Sequence, residues 1–281
     1  MGLFGGNYEK AGSGIAKNAP KKKPFFRFWE MFFERFWKMV KLSLLTSLFC
    51  LPVVTIGPAI AGMTKVMRSY ILDKDTFIWD DFIKGFTGNF KKSFPVGLVD
   101  IVFALSLFSS LKVYPALAEQ TGSVVPYVFC VVSVGFALTV FMMNFFIFPM
   151  IVCTDLNFKN IIKNSFFLTA LGLKTNIITL LCILLTAIIM TLLVFIMGSM
   201  AVLILIPVIL VSFVGFLIMF NSYPQIQKNV IEPYYAARGQ TNPEYDFLKP
   251  LDDEESVFVD KGGEEAPIEG KSKKSKGKVI S

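Results

Sequence analysis

Apolar residues fill five long segments of this chain, separated by shorter stretches in which charged residues recur. A helix needs about 20 mainly apolar residues to cross the hydrocarbon core of a bilayer. The pattern predicts an all-α fold, a polytopic membrane helix bundle with four full spans and a first hydrophobic segment, residues 42–64, that is broken by proline and glycine. The spans are expected at residues 96–114, 126–152, 176–196 and 201–223.

Residues 42–64 leave two alternatives open. The run is uncharged and long enough to cross as a helix, but Pro52 and the sequence Gly57, Pro58, Ala59 interrupt helical hydrogen bonding. The segment either spans the membrane or enters it and returns on the same side. The second alternative requires that the freed backbone groups be buried in protein.

Amphipathic helices are predicted beside the spans, at residues 25–41, 75–92 and 155–173. In residues 25–41 polar side chains recur every three or four positions, and phenylalanine and tryptophan fill the opposite face. This aromatic loading beside a basic cluster favours a helix in the headgroup layer, and packing of the same face on the protein's own bundle is the alternative. The predicted lipid-interface residues are Lys21, Lys22, Lys23, Trp29, Trp37 and Trp79.

The two ends of the chain lack a hydrophobic period. Residues 1–24 are rich in glycine, alanine and lysine, and residues 228–281 carry an acidic block followed by a basic block. Low hydrophobicity with separated charge blocks predicts a flexible basic N-terminal tail and a disordered, charged C-terminal tail. The membrane domain is therefore expected at residues 25–227.

The charges of the short connections predict the topology. Lysine and arginine are frequent before residue 42, between residues 65 and 92, and between residues 155 and 174, whereas residues 112–123 hold one lysine. Because cytoplasmic loops are enriched in lysine and arginine, both termini are expected in the cytoplasm if residues 42–64 do not change sides. A fully spanning first segment would give five crossings and place one terminus outside.

Composition excludes several classes of protein. Of the 281 residues 54% are hydrophobic and 17% charged, against about a quarter charged in soluble domains. The chain has no histidine, the usual general base and commonest metal ligand. It has no glycine-rich phosphate loop, no carboxylates paired for acid and base catalysis, and no cysteine spacing of a metal or redox motif. We expect a non-enzymatic protein without catalytic, cofactor-binding or metal-binding residues.

Asp100 is the carboxylate most clearly placed within an apolar segment. An acid inside the membrane is a candidate functional residue. Asp100 lies near the start of its span, however, where it can pair with Lys91 or Lys92 or reach water, and this favours a structural role. Asp100 and Asn144, in the next span, are the candidate intramembrane polar site. Hydrogen bonds between helices are predicted for the polar residues of the spans: Asn144, Thr186, Thr191, Ser212 and Asn221.

The central part of the chain resembles a known family. Gly57, Pro58 and Ala59, together with the later sequence of residues 89–92 (Asn-Phe-Lys-Lys), are similar to the YesL-like family of bacterial integral membrane proteins, a domain of unknown function. The resemblance covers about residues 25–227. It implies a multi-pass protein of the bacterial cell membrane, often associated with carbohydrate uptake systems and their transporter permeases, and no catalytic residues carry over. Pro52, Gly57, Pro58 and Ala59 are the family motif and the structural break.

Two functions remain open from the sequence. The first is an accessory or regulatory component linked to carbohydrate uptake, whose partners are the lipid bilayer and either a transporter permease or a second copy of the chain. The second is a small-solute transporter or channel, with the broken segment and Asp100 along its path. The basic patches alternate with aromatic residues beside the spans, which favours the bilayer surface and not nucleic acid as their partner.

Overall fold

Helices form nearly all of the regular structure in the computed structural model, which describes residues 23–198, 206–242 and 244. In chain order they are α1 (Pro24–Glu34), α2 (Phe36–Cys50), α3 (Ile56–Ile71), α4 (Ile78–Gly88), α5 (Phe90–Thr121), α6 (Val125–Cys153), α7 (Phe158–Leu171), α8 (Leu173–Met197) and α9 (Ile206–Ala236). These residues contain no strand. The predicted all-α class is confirmed.

Four helices, α5, α6, α8 and α9, are long and apolar enough to cross a membrane. They correspond to the four predicted spans, although two extend further than their apolar residues alone indicate. α5 includes Pro95 and Pro115 and ends only at Gly122, whose left-handed conformation (φ 64°) suits glycine. α9 continues to Ala236, into the region expected to be a tail, and the first residues of the predicted span 201–223 lie outside the described part of the chain.

The first hydrophobic segment is broken, as its proline and glycine residues predict. α2 ends before Pro52, a 3₁₀ turn (Val53–Thr55) follows, and α3 then begins. The backbone N–H of Thr55 donates to the carbonyl oxygen of Pro52 at 2.9 Å, and the Thr55 hydroxyl lies 2.6 Å from the carbonyl oxygen of Phe49, to which it can donate. Two carbonyl groups freed by the break therefore have a partner. Pro58 lies in the first turn of α3. Backbone N–H groups in the first turn have no carbonyl partner within the helix, so the proline costs no helical hydrogen bond there.

α5 and α6 form an antiparallel hairpin, in which the start of α5 lies beside the end of α6. The ammonium group of Lys92, in the first turn of α5, donates to the carbonyl oxygen of Leu156, just beyond α6, at 3.1 Å. Nearer the turn that connects the two helices, the hydroxyls of Ser110 and Ser133 form a hydrogen bond. We call the side that holds Lys91, Lys92 and the end of α6 the basic end of the hairpin.

Both ends of α3 lie at this basic end. Near the start of α3, Gly57 contacts Ser93 in the first turn of α5. Near its C-terminus, the guanidinium of Arg68 donates to the carbonyl oxygen of Val152, in the last turn of α6, at 3.4 Å. The last part of the first segment, residues 56–64, therefore does not run the length of the α5–α6 hairpin. This geometry favours the alternative in which the first segment enters and returns.

The predicted amphipathic helix of residues 25–41 is divided at Arg35 into α1 and α2. The guanidinium of Arg35 contacts the carboxylate of Asp73, directly after α3, and lies 5.8 Å from the centre of the Tyr70 ring. Burial raises the pKa of Tyr70 to about 12, so that contact is between a cation and a neutral ring. The start of α2 and the end of α3 are thus held together.

α1 packs one of its faces on the bundle. Phe28 and Phe32 are buried against Phe213 and Phe216 of α9, with ring centroids 5.2–6.4 Å apart. Other aromatic side chains of the same region, among them that of Phe33, are exposed. Phe28 and Phe32 therefore follow the alternative in which the aromatic face packs on the bundle, and the headgroup position stays a prediction for the exposed aromatic residues.

The other two predicted amphipathic segments are shorter helices in the structure. Asn89 separates α4 from α5, and its side-chain amide donates to the carbonyl oxygen of Gly85 at 3.0 Å, so residues 75–92 do not form one helix. The segment at residues 155–173 contains α7. α3 is the central element, since it contacts α2, α4, α5, α6 and α9.

Candidate intramembrane groove

Two glycines set the position of α3 against α5. A Cβ atom added to Gly57 would lie 2.2 Å from the carbonyl oxygen of Ser93 and 3.1 Å from the Cα atom of Gly97. A Cβ atom on Gly97 would lie 2.7 Å from the backbone nitrogen of Gly57. The two backbones therefore cross in direct contact, as small residues permit in membrane bundles. This contact gives Gly57, part of the family motif, a physical role.

Two further glycines let α3 fit between α4 and α9. A Cβ atom on Gly62 would lie 2.9 Å from the carbonyl oxygen of Phe82 in α4. One on Gly215 of α9 would lie 2.6 Å from the terminal methyl carbon of Met63 and 3.0 Å from that of Met67. The close fit fixes which side of α3 faces α5, α6 and α9. Of the motif residues, Gly57, Pro58 and Ala59 are buried and Pro52 is exposed.

α3, α5, α6 and α9 enclose a groove with a cavity volume of about 730 Å³. This volume lies within the range of small-molecule sites. The wall is mostly apolar: Met63, Phe103, Leu107, Val214 and Ile218 are examples. Leu138 and Phe141 also line it and are 40% and 44% exposed. The groove is therefore open on one side, along the apolar stretches of α5 and α6.

Asp100 and Asn144 meet on the wall of this groove. The side-chain amide of Asn144 donates to Oδ1 of Asp100 at 2.7 Å, and this bond joins α5 to α6. Asp100 thus takes its partner from the neighbouring span, while Lys92 bonds a backbone carbonyl. Sequence reasoning selected both residues but paired Asp100 with the lysines. The sequence of a single span does not show which of its residues lies beside which residue of the neighbouring span.

The Asp100–Asn144 pair offers acceptors to a ligand. Oδ1 of Asn144 is buried and has no hydrogen-bond partner among the described residues. The amide nitrogen of Asn144 is occupied by Asp100, so the remaining capacity of both groups lies largely in their oxygen lone pairs. A group that donates N–H or O–H bonds suits such a site better than another acceptor. The polar part of the groove is small beside its apolar wall.

The described residues show no constellation for metal or nucleophilic chemistry. No group of three or more potential metal ligands occurs among them. All four cysteines, Cys50, Cys130, Cys153 and Cys182, are unpaired and partly buried. Cys153 and Cys182 pack on the hydrophobic core, as expected for small apolar residues. That the protein is non-enzymatic stays a prediction from the sequence.

The predicted lipid-interface residues differ in how far their side chains are exposed. Trp37 and Trp79 are 75% and 64% exposed, and Lys23 is exposed. Trp29 is half-buried, with its ring 6.1 Å from that of Phe213. Lys21 and Lys22 lie outside the described residues. The exposed tryptophans are compatible with a headgroup position, whereas Trp29 also takes part in packing.

Sequence reasoning did not find a second polar cluster at the basic end. Arg68 of α3 meets Tyr223 and Gln227 of α9, and Glu244 completes the cluster. Arg68 could have been singled out as a cation four residues after the apolar run of residues 42–64. Glu244 could not, because it lies beyond the last span in a stretch whose composition predicts a solvated tail.

Comparison with known proteins gives one family match. Residues 40–111 match a family described as "Protein of unknown function, DUF624". No curated protein and no solved structure matches the chain. The matched segment holds α3, α4, the break before α3 and most of α5, and so includes Gly57, Gly97, Arg68 and Asp100; it is shorter than the expected 25–227. DUF624 is the family of YesL-like proteins, and over residues 40–111 the resemblance seen in the sequence is confirmed.

Proposed function

We propose that this protein is a non-enzymatic accessory or regulatory component of a bacterial cell membrane system for carbohydrate uptake. In this proposal the groove between α3, α5, α6 and α9 receives a transmembrane helix of a transporter permease. The link to carbohydrate uptake rests on the resemblance to YesL-like proteins. The docking role rests on the groove itself.

The observation that carries the docking role is an apolar groove, open at membrane depth, with one carboxylate–amide pair on its wall. A path for a hydrophilic solute requires polar groups along its length. Here Asp100, Asn144 and Thr64 are the polar lining residues. A partner helix, in contrast, packs through apolar contacts and gains from a few hydrogen bonds between helices. The lining therefore supports a docking site over a transport path.

Crosslinking from two positions on α5 tests the proposal. A photoreactive amino acid at Leu107, which lines the groove, is expected to crosslink one polytopic membrane protein in the native membrane. The same amino acid at Leu105, which is 62% exposed and outside the lining, is the matched control and is expected not to capture that protein. Asp100→Leu in the Leu107 protein should reduce the yield several-fold, because the partner loses its polar contact.

Three results would contradict the proposal. Equal capture from Leu105 and Leu107 would show that the groove is not the docking surface. A crosslink from Leu107 to a second copy of the chain would replace the permease with a homo-oligomer. Solute flux through liposomes that contain only the purified chain would support the transporter alternative.

A further inference from the structure

A buried carboxylate at the basic end is surrounded by hydrogen-bond donors. Glu244 is 8% exposed. Its Oε1 atom accepts from the guanidinium of Arg68, and its Oε2 atom accepts from the hydroxyl of Tyr223 and from the side-chain amide of Gln227. Three donors from two helices therefore converge on one carboxylate. Charge-assisted bonds of this kind are the strong ones in proteins.

The donors are oriented by groups other than Glu244. Arg68 is also held by the carbonyl oxygen of Val152, at 3.4 Å from its Nη1 atom. The side-chain amide of Asn242 donates to Oε1 of Gln227 at 2.9 Å, which turns the Gln227 nitrogen towards the carboxylate. The same nitrogen lies 2.7 Å from the hydroxyl of Tyr223. The arrangement is thus a preformed receptor and not a single ion pair.

The carboxylate comes from a different part of the chain than its donors. Arg68 belongs to α3, and Tyr223 and Gln227 belong to α9, two helices inside the bundle. Glu244 follows the end of α9 and a turn at Gly239 (φ 64°). Removing the carboxylate leaves the donors on their helices and leaves a half-buried guanidinium without its counter-ion. Such a charge has a strong preference for any carboxylate that can enter.

We propose that Arg68, Tyr223 and Gln227 form a carboxylate-binding site, filled in the intact chain by Glu244, which takes a small external carboxylate when the Glu244 side chain is absent. The ligand is a monocarboxylate, since the site presents one guanidinium and two neutral donors. The site is separate from the groove, as none of its three donors lines the groove.

The test is rescue of a cavity variant by acetate. In full-length protein in detergent, Glu244→Ala should lower the Tm by about 10 °C, because it leaves Arg68 unpaired. Sodium acetate in excess should recover part of that loss, since a ligand that binds only the folded state stabilises it. Acetamide, of the same shape but neutral, and sodium chloride at equal ionic strength should not. Glu232→Ala, an acidic residue of α9 outside the cluster, should show no specific response to acetate.

The double variant Arg68→Met, Glu244→Ala provides the second arm. It lacks the guanidinium, so acetate should have no more effect on it than chloride. If Glu244→Ala does not fold in buffer alone, the readout becomes the yield of folded, monodisperse protein purified in sodium acetate, which should exceed the yields in acetamide and in sodium chloride several-fold. Equal stabilisation by acetate and acetamide, or an equal response to acetate in the double variant, would overturn the proposal.

Discussion

At the scale of single residues, the contact between Gly57 and Gly97 determines where α3 can lie. A methyl group at either position would meet backbone atoms, at 2.2 Å from the Ser93 oxygen or 2.7 Å from the Gly57 nitrogen. Backbone atoms cannot rotate away as a flexible side chain can. The groove depends on this contact, because α3 supplies one of its walls.

We expect Gly57→Ala to destabilise the protein by about 3 kcal/mol, the upper range for overpacking, because α3 or α5 must shift. The measurement is the free energy of unfolding in mixed detergent micelles. Gly135→Ala is the matched control: it lies in α6, and a Cβ atom there would have no neighbour within 4 Å. It should be neutral or stabilise the protein by up to about 1 kcal/mol through helix propensity. Equal losses in both variants would contradict the role of the crossing.

The sequence indicated Gly57 but not Gly97. Gly57 lies beside Pro58 in an apolar run and draws attention as a break, whereas Gly97 is a single glycine in an apolar helix. Its importance comes only from the backbone that crosses it. The same holds for the candidate site: Asp100 and Asn144 were both selected as polar residues in spans, but their bond depends on a helix register that local patterns do not contain.

At the scale of elements, α8 is the least buried of the four candidate spans. The apolar window of α8 is 6% buried, against 44% for α6. It is attached near its N-terminal end, where Asn221 of α9 donates to the hydroxyl of Thr179 at 2.8 Å. Its later residues, such as Leu185 and Leu192, are 57% exposed. One polar contact therefore carries much of the register between α8 and α9.

Asn221→Ala should lower the free energy of unfolding by about 1 kcal/mol, the typical value of a hydrogen bond between membrane helices. Thr191→Val is the control, because the Thr191 hydroxyl bonds the carbonyl oxygen of Ala187 in its own helix, at 2.9 Å, and is exposed. It should change the free energy by less than about 0.5 kcal/mol. The same unfolding measurement serves both variants, and a larger loss for Thr191→Val would contradict this view of α8.

The sequence showed which polar residues lie in the spans, but not which groups their side chains would bond. Asn144 and Asn221 bond neighbouring helices, as sequence reasoning expects of amides in membrane helices. Thr186 and Thr191 were expected to do the same, and their hydroxyls instead bond the carbonyl oxygens of Cys182 and Ala187 one turn earlier. A threonine hydroxyl can donate to a carbonyl oxygen one turn earlier in its own helix. An asparagine side chain has two N–H donors and a carbonyl acceptor, and its own helix cannot bond all of them.

At the scale of the whole molecule, the position of α3 bears on topology. Both of its ends lie at the basic end of the α5–α6 hairpin, and this favours a re-entrant first segment. Four candidate spans then separate the start of α5 from the end of α9. Under the positive-inside rule, the excess of lysine and arginine near the basic end predicts a cytoplasmic location for that end and for both termini.

Cysteine labelling tests this topology. In a variant without the four native cysteines, single cysteines at Lys74 and at Lys271 should both be protected from a membrane-impermeant maleimide added outside intact cells. Ser123→Cys, in the connection between α5 and α6, should be labelled. A further single cysteine at Lys23, before residues 42–64, should also be protected. Labelling of the Lys74 cysteine together with protection of the Lys23 cysteine would require residues 42–64 to cross, and would rule out the re-entrant first segment. Labelling of only one of the Lys74 and Lys271 positions would contradict the four crossings between them.

The cluster at Arg68 has a consequence for the order in which the protein can be completed. Arg68 and Glu244 are 176 positions apart, so the guanidinium is synthesised long before its carboxylate partner. Chains are made from the N-terminus, and a half-buried guanidinium without a counter-ion is costly. The end of α3 therefore reaches its final state only after the ribosome has passed Glu244. Formation of this cluster, which joins α3 to residues beyond the last span, is therefore a late event in folding.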